Sequence, residues 1–246
     1  MPSDCEKLTQ KLDLLEEIFQ IKIKDQKLFE KALTHSSFTR ENEASSLENY
    51  ERLEFLGDAV LKLCISDILY KKFPDYAEGD LTKIRSIIVS DNVLAKVAEE
   101  IGLAPLVTLG KQEEKMGGRN RSSILACTFE ALLGAYYLSE NQDAISKFLE
   151  QTFTSMIEEV DEHFEKFNAK AVLQEHTQSL NKKIPDYKII EEIGPQHDKI
   201  FVVEVSYMDE ILAVGRGKTK REAEQACAYE ACVKLGIIEK EMGNGK

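Results

Sequence analysis

From residue 4 to about 166, apolar positions recur at helical spacing, and no stretch alternates as a strand does. A long helix is expected from about 47 to 71, opened by the capping-box pattern Ser45-Ser46-Leu47-Glu48 and stopped by Pro74. Asp80 can cap the next helix, whose Leu81, Ile84, Ile87 and Ile88 fall at helical spacing. Another starts near Asp91 and ends at Gly102. A loop rich in Gly and Arg, 115–123, leads into an apolar helix over about 124–139, and an amphipathic helix runs on to about 164.

After about 167 the period changes. Residues 168–181 read as a helix, then 186–193, 199–207 and 210–216 alternate as strands. Phe201, Val203, Val205 and Tyr207 share one face of the middle strand, and Met208-Asp209-Glu210 suits a hairpin. A last helix follows Thr219, whose Thr-Lys-Arg-Glu run is a second capping box, with Ala223, Cys227, Ala231 and Leu235 as its apolar face. The order helix, three strands, helix describes a two-layer α+β module, for which ~70 residues suffice. Two domains are therefore expected, 1–166 all-α and 167–246 α+β.

Composition changes this picture in one respect. The 246 residues carry 32 Lys+Arg against 44 Asp+Glu, a net charge of −12, which argues against a simple nucleic-acid glue. Residues 1–166, however, hold 20 basic and 31 acidic side chains, and 167–246 hold 12 and 13. The acidity belongs to the helical part. In the second part Arg216, Lys218, Lys220 and Arg221 crowd a helix N-terminus, where backbone N–H groups add to them, so the run is either a phosphate site or a solvated surface. The five cysteines are scattered with no CxxC pair, so a zinc site or disulfide framework is not expected and a reducing, cytoplasmic setting is. The first residues lack a secretory pattern, and no apolar run reaches the ~20 residues of a membrane span.

The sharpest chemistry lies in Glu51, Glu54 and Asp58, at i, i+3 and i+7 on one helix face. Like charges so spaced repel, and a hard cation such as Mg²⁺ or Mn²⁺ would relieve them; an exposed acidic stripe is the plainer explanation. Glu130 weighs against the plain one. It is the only charge between 122 and 139, and a lone carboxylate in an apolar helix is costly unless paired or metal-bound. Pairing with Arg52 or Arg85 is the structural alternative. If the two helices pack together, Glu54, Asp58 and Glu130 converge on one cation, and metal-assisted phosphoryl chemistry follows.

The run YERLEFLGDAVL (50–61) resembles the signature of ribonuclease III, the double-stranded-RNA endonuclease family. KALTHSS (31–37), PDYAEGDLTKIRSIIVS (74–90) and GGRNRSSILACTFEALLGAYYL (117–138) follow in that family's order. AVLQEHTQ (171–178), PDYKI (185–189), GPQH (194–197) and GRGKTKREAEQ (215–225) resemble its double-stranded-RNA-binding domain. The resemblance implies an all-α endonuclease domain forming a homodimer, followed by an α-β-β-β-α RNA-binding domain. It implies hydrolysis of duplex RNA to 5′-phosphate and 3′-hydroxyl ends with two-nucleotide 3′ overhangs, and a role in ribosomal RNA precursor and other RNA processing. By position, Asp58 and Glu130 match the most critical catalytic acids. Glu54, Asp58 and Glu130 match metal ligands for Mg²⁺, with Mn²⁺ able to substitute, and Glu51 matches an auxiliary acid.

In the second domain the resemblance assigns Gln174, Glu175 and Gln178 to a minor groove and His197 to a neighbouring one. Lys218, Lys220 and Arg221 fall to the phosphates between. Arg119 and Arg121 border the catalytic helix and are candidates for the scissile strand, as is Arg85. One position departs from the family: Cys127 stands where an Asp is usual. A thiol is a poor ligand for Mg²⁺. The competing expectation is a catalytically weak or silent double-stranded-RNA-binding protein.

Overall fold

Each run of helical period in the first part of the chain closes into a helix. The computed structural model describes residues 4–139, 141–194 and 199–238. The helices are α1 (Asp4–Phe19), α2 (Gln26–Ala32), α3 (Ser36–Glu41), α4 (Glu51–Lys72), α5 (Glu78–Ile88), α6 (Asp91–Glu100), α7 (Lys111–Lys115), α8 (Ser122–Leu138) and α9 (Gln142–Glu162). Two units result, Met1–Glu158 and Glu159–Lys246. In the first, α8 is apolar all round because it is the centre, with α4, α6 and α2 packed about it. Phe129 and Tyr136 of α8 meet Phe19, Phe29 and Phe153 at ring separations of 4.6 to 6.4 Å. All five rings are buried, and each contributes on the order of 2–3 kcal/mol. Strand structure in this unit is limited, among the described residues, to one bridge between Thr34 and Thr108.

Two expected caps fold otherwise. Ser45 Oγ accepts from Leu47 N–H at 3.2 Å, but only a 3-10 turn, Ser46–Glu48, follows. Asn49 is extended, its side chain accepts from Glu51 N–H, and α4 starts afresh there. The reason is tertiary: Tyr50 N–H is drawn to Thr34 O at 2.9 Å, which a continuous helix would forbid. Asp80 lies inside the first turn of α5, whose cap is Ala77.

In the second unit come α10 (Phe164–Phe167), α11 (Ala169–Asn181), β1 (Asp186–Ile193), β2 (Ile200–Tyr207), β3 (Glu210–Gly217) and α12 (Lys220–Lys234). The strands form an antiparallel sheet in the order β1-β2-β3. Met208 and Asp209 take φ of 53° and 65°, as a two-residue hairpin of right-handed strands requires. Val203 and Val205 pack with Leu173, Ala223, Cys227, Ala228, Ala231 and Cys232, so both longer helices cover one face of the sheet. Phe201 and Tyr207 border that core as expected, whereas Leu235 ends α12 with 42% of its surface exposed. No helix among the described residues is long and apolar enough to cross a membrane.

Candidate active site

The site depends on how closely α4 and α8 approach. A Cβ on Gly57 would stand 1.7 Å from the carbonyl oxygen of Glu130, and one on Gly134 would stand 2.3 Å from that of Leu53. Only glycine lets the two backbones touch at both points. The crossing seats the Glu130 peptide against Gly57, next to Asp58 and one turn from Glu54. Glu54, Asp58, Cys127 and Glu130 are all half-buried there, while Glu51 is exposed at the start of α4.

Burial pushes the Glu130 carboxyl up to about 8, and the negative charges of Asp58, Glu54 and Asp91 add to this against a smaller effect of Lys62. Glu54 is also raised, by burial first; a hydrogen bond with Cys127 opposes that, and Glu51, Asp91 and Asp58 reinforce it. The Cys127 thiol is pushed up to about 12 by burial, by its hydrogen bond with Glu54 and by the surrounding carboxylates, so it stays protonated. Burial likewise raises the Tyr50 phenol, and the neighbouring Cys127, Glu54 and Glu51 add to this.

Among the described residues no ion pair reaches Glu130, so the pairing with Arg52 or Arg85 does not occur; Arg85 donates to the Ser66 hydroxyl at 2.8 Å. Nor do three acidic, Cys or His side chains stand as a ready-made metal cluster among those residues. One of the acids is already engaged: Asp58 Oδ2 is 2.7 Å from Lys62 Nζ. The donor set still suits a hard divalent cation: three half-buried carboxylates, one of them driven toward protonation by burial and then by its neighbours.

Two features escaped the sequence pattern. Asp91, the first residue of α6, lies within electrostatic reach of Glu54, Cys127 and Glu130. No local spacing connects it to them; α6 packing on α8 does. Tyr50 was part of the signature but carried no expected role. Conversely, two candidate RNA contacts are engaged elsewhere. Arg119 donates to Ala104 O at 2.6 Å, to Val107 O at 2.9 Å and to the Glu114 carboxylate, which fixes the loop ahead of α8. Arg121 pairs with Glu113 at 2.6 Å. The KALTHSS segment holds the same loop from its other side: His35 N–H donates to Thr108 O, and Ser37 Oγ accepts from Gly110 N–H at 2.9 Å.

In the second unit, Gln174, Glu175 and Gln178 are exposed on α11. Lys218, Lys220 and Arg221 are exposed where α12 begins, and no ion pair engages them among the described residues. Thr219 caps that helix by accepting from Glu222 N–H at 3.1 Å, while Glu222 accepts from Lys218 N–H at 3.0 Å. Here too glycines set the spacing: a Cβ on Gly215 or Gly217 would fall 2.2 Å from Cys227 N or 2.4 Å from Ala223 N. His197 lies outside the described residues.

Comparison with known proteins agrees with this arrangement. The Ribonuclease-III-like family profile matches residues 25–157, and the double-stranded RNA binding motif matches 169–235. Ribonuclease 3 of Caldanaerobacter subterraneus subsp. tengcongensis is 44% identical over 227 residues, 92% of this chain and 99% of that protein. Ribonuclease 3 of Bacillus licheniformis is 42% identical over 94% of this chain and 92% of its own. The nuclease domain of ribonuclease III from Campylobacter jejuni superposes with a TM-score of 0.52 at 36% identity, over 58% of this chain and 99% of that one.

Proposed function

The chain belongs to the ribonuclease III family of double-stranded-RNA endonucleases, and on that premise we propose that it hydrolyses duplex RNA with a divalent cation held by Glu54, Asp58 and Glu130. The observation that carries this reading is the backbone-to-backbone crossing at Gly57 and Gly134. It gathers carboxylates from two helices at a half-buried seam, where burial first and then the repulsion of the neighbouring carboxylates push Glu130 up to about 8. A cation in their midst removes that repulsion, which is the thermodynamic reason for it to bind. When bound, Mg²⁺ or Mn²⁺ supplies positive charge to the phosphate oxygens, acidifies a water and steadies the leaving oxygen. Glu51, exposed one turn before Glu54, assists at the entrance. Asp58, paired with Lys62 at 2.7 Å, would be one of the residues holding the cation, and Lys62 would then be available to a phosphate.

The RNA is gripped by the second unit. Exposed Gln174, Glu175 and Gln178 of α11 face a minor groove, and Lys218, Lys220 and Arg221 hold the phosphates across the intervening groove, with His197 reaching the next minor groove. The chain works as a homodimer through its helical unit. Phe55, Leu63 and Tyr70 of α4 leave 82%, 68% and 75% of their surface exposed, an apolar stripe suited to a second copy. Each protomer then cuts one strand, giving 5′-phosphate and 3′-hydroxyl ends with two-nucleotide 3′ overhangs. Ribosomal RNA precursors and other structured transcripts of the cytoplasm are the substrates we assign. End mapping of a defined long duplex tests this: staggered cuts two nucleotides apart with 5′-phosphates are expected. Blunt products or 3′-phosphates would refute the assignment.

A further inference from the structure

We propose that Lys62 is a positioning residue for the carboxylate site: its ammonium is a tethered counter-ion that competes with a divalent cation for Asp58, and so raises the cation concentration at which the site fills. The inference rests on the cation-dependent reading above.

An acid followed four residues later by a lysine is the favoured order on a helix, because side chains lean toward the N-terminus and the longer one reaches back over a turn. The helix α4 carries two such pairs of the same geometry. Lys62 Nζ stands 2.7 Å from Asp58 Oδ2, and Lys71 Nζ stands 2.7 Å from Asp67 Oδ2. Their surroundings differ. Asp67 lies about 14 Å further along the helix, away from the crossing with α8. Asp58 directly follows Gly57, where the Glu130 peptide crosses, and Glu54 lies one turn before it. Its side chain is 39% exposed against 54% for Asp67. The arginines of α5 and of the loop before α8 are committed elsewhere: Arg85 to Ser66, Arg119 to Glu114 and Arg121 to Glu113. Among the described residues, the ion pair that reaches these carboxylates is therefore that of Lys62. An exposed pair of this kind is weak, so a divalent cation can displace it. It still has an effect, because the pair must first be broken and the ammonium, held by its helix, continues to repel a second positive charge nearby. The same geometry on one helix thus gives two different roles: at Asp67 an ordinary surface pair, at Asp58 a competitor for the cation.

The test is titration of the metal-free full chain with Mn²⁺ by isothermal calorimetry, with thermal midpoints measured alongside. Lys62→Ala should bind Mn²⁺ about threefold tighter than the parent, having lost both the competing pair and the like charge. Lys62→Arg keeps the charge and should bind within about twofold of the parent. Lys71→Ala removes the same charge from the same helix and should leave the affinity unchanged, which separates competition at Asp58 from a change in overall charge. All these variants should melt within about 2 °C of the parent, as loss of an exposed pair implies. Lys62→Ala binding no tighter than the parent overturns the proposal. So does Lys71→Ala tightening as much as Lys62→Ala, or Lys62→Arg binding as tightly as Lys62→Ala. Should Lys62→Ala melt early, Lys62→Met, which retains the apolar stem, takes its place in the same comparison. Cleavage assayed on the same preparations separates the two claims: a parent that binds Mn²⁺ but leaves duplex RNA intact refutes the nuclease reading, not the competition at Asp58.

Discussion

Replacing Gly57 with alanine opposes two effects of known size. Inside a helix, alanine is preferred over glycine by about 1 kcal/mol, so local propensity alone forecasts a more stable protein. The tertiary effect has the other sign. The new Cβ would lie 1.7 Å from Glu130 O and 2.5 Å from Glu130 C, and ordinary contact begins at 3.4 Å. Both obstacles are backbone atoms, which cannot rotate away. To admit the methyl group, α4 and α8 must part by more than an ångström along their most buried seam. Overpacking of this kind costs about 3 kcal/mol. The net loss is therefore about 2 kcal/mol, or a fall of roughly 4–8 °C in the melting temperature of the helical unit.

Catalysis should suffer more than stability, because the carboxylates ride on the two helices being separated. A displacement of about 1 Å costs on the order of 10²-fold in rate. Circular dichroism melts and initial rates of duplex cleavage at saturating Mg²⁺ measure the two effects. Gly79→Ala is the internal control: it also lies in a helix, but nothing stands within 4 Å of its added Cβ, so it should be neutral or slightly stabilising. The reasoning is refuted if Gly57→Ala matches Gly79→Ala in stability. It is equally refuted if Gly57→Ala melts early yet cleaves at the parent rate, since the crossing would then not be what assembles the site.

Three further outcomes follow from the same geometry. Glu130 titrates near 8 in the fold against an ordinary value of 4.5, so its contribution to stability is complete below the lower value and is lost as pH rises through the upper one. Metal-free protein should accordingly melt progressively earlier between about pH 5 and 8, and saturating Mg²⁺ should flatten that slope; a flat profile in chelator would contradict it. Asp91→Asn removes a negative charge felt by Glu130 and Glu54, so it should bring Glu130 closer to its ordinary value and weaken Mg²⁺ binding several-fold, read by calorimetry. Lys220→Ala or Arg221→Ala should each reduce the slope of log affinity for duplex RNA against log salt by about 1, and an unchanged slope would remove those side chains from the phosphate interface.

Much of the fold was legible because local signals and tertiary demands agreed. The strands over 186–193, 199–207 and 210–216 lie within a residue of β1, β2 and β3, and Thr219 caps α12 as its spacing implied. The Ser45 box failed for the opposite reason: Tyr50 N–H is claimed by Thr34 O, a partner far away in sequence. Leu235 continued the apolar period of α12 but sits at its C-cap, past the core. For the candidate site, the spacing of Glu51, Glu54 and Asp58 and the isolation of Glu130 singled out two helices that pack together in the fold. The reason they meet was hidden, because Gly57 and Gly134 carry no side chain to pattern. Asp91 was hidden as well, since its nearness to the cluster exists only once α6 lies on α8.

The central claim is that Glu54, Asp58 and Glu130 hold a cation that cuts duplex RNA while the α12 cations grip it. One experiment addresses it directly: binding and single-turnover cleavage of a long duplex by the parent and by Glu130→Gln, in chelator, in Mg²⁺ and in Mn²⁺. The account predicts that both proteins bind in every condition. Only the parent should cut, only with a divalent cation, and Glu130→Gln should be slower by about 10³-fold or more. Binding without cutting by the parent in both Mg²⁺ and Mn²⁺ would contradict the account, as would equal cutting by Glu130→Gln.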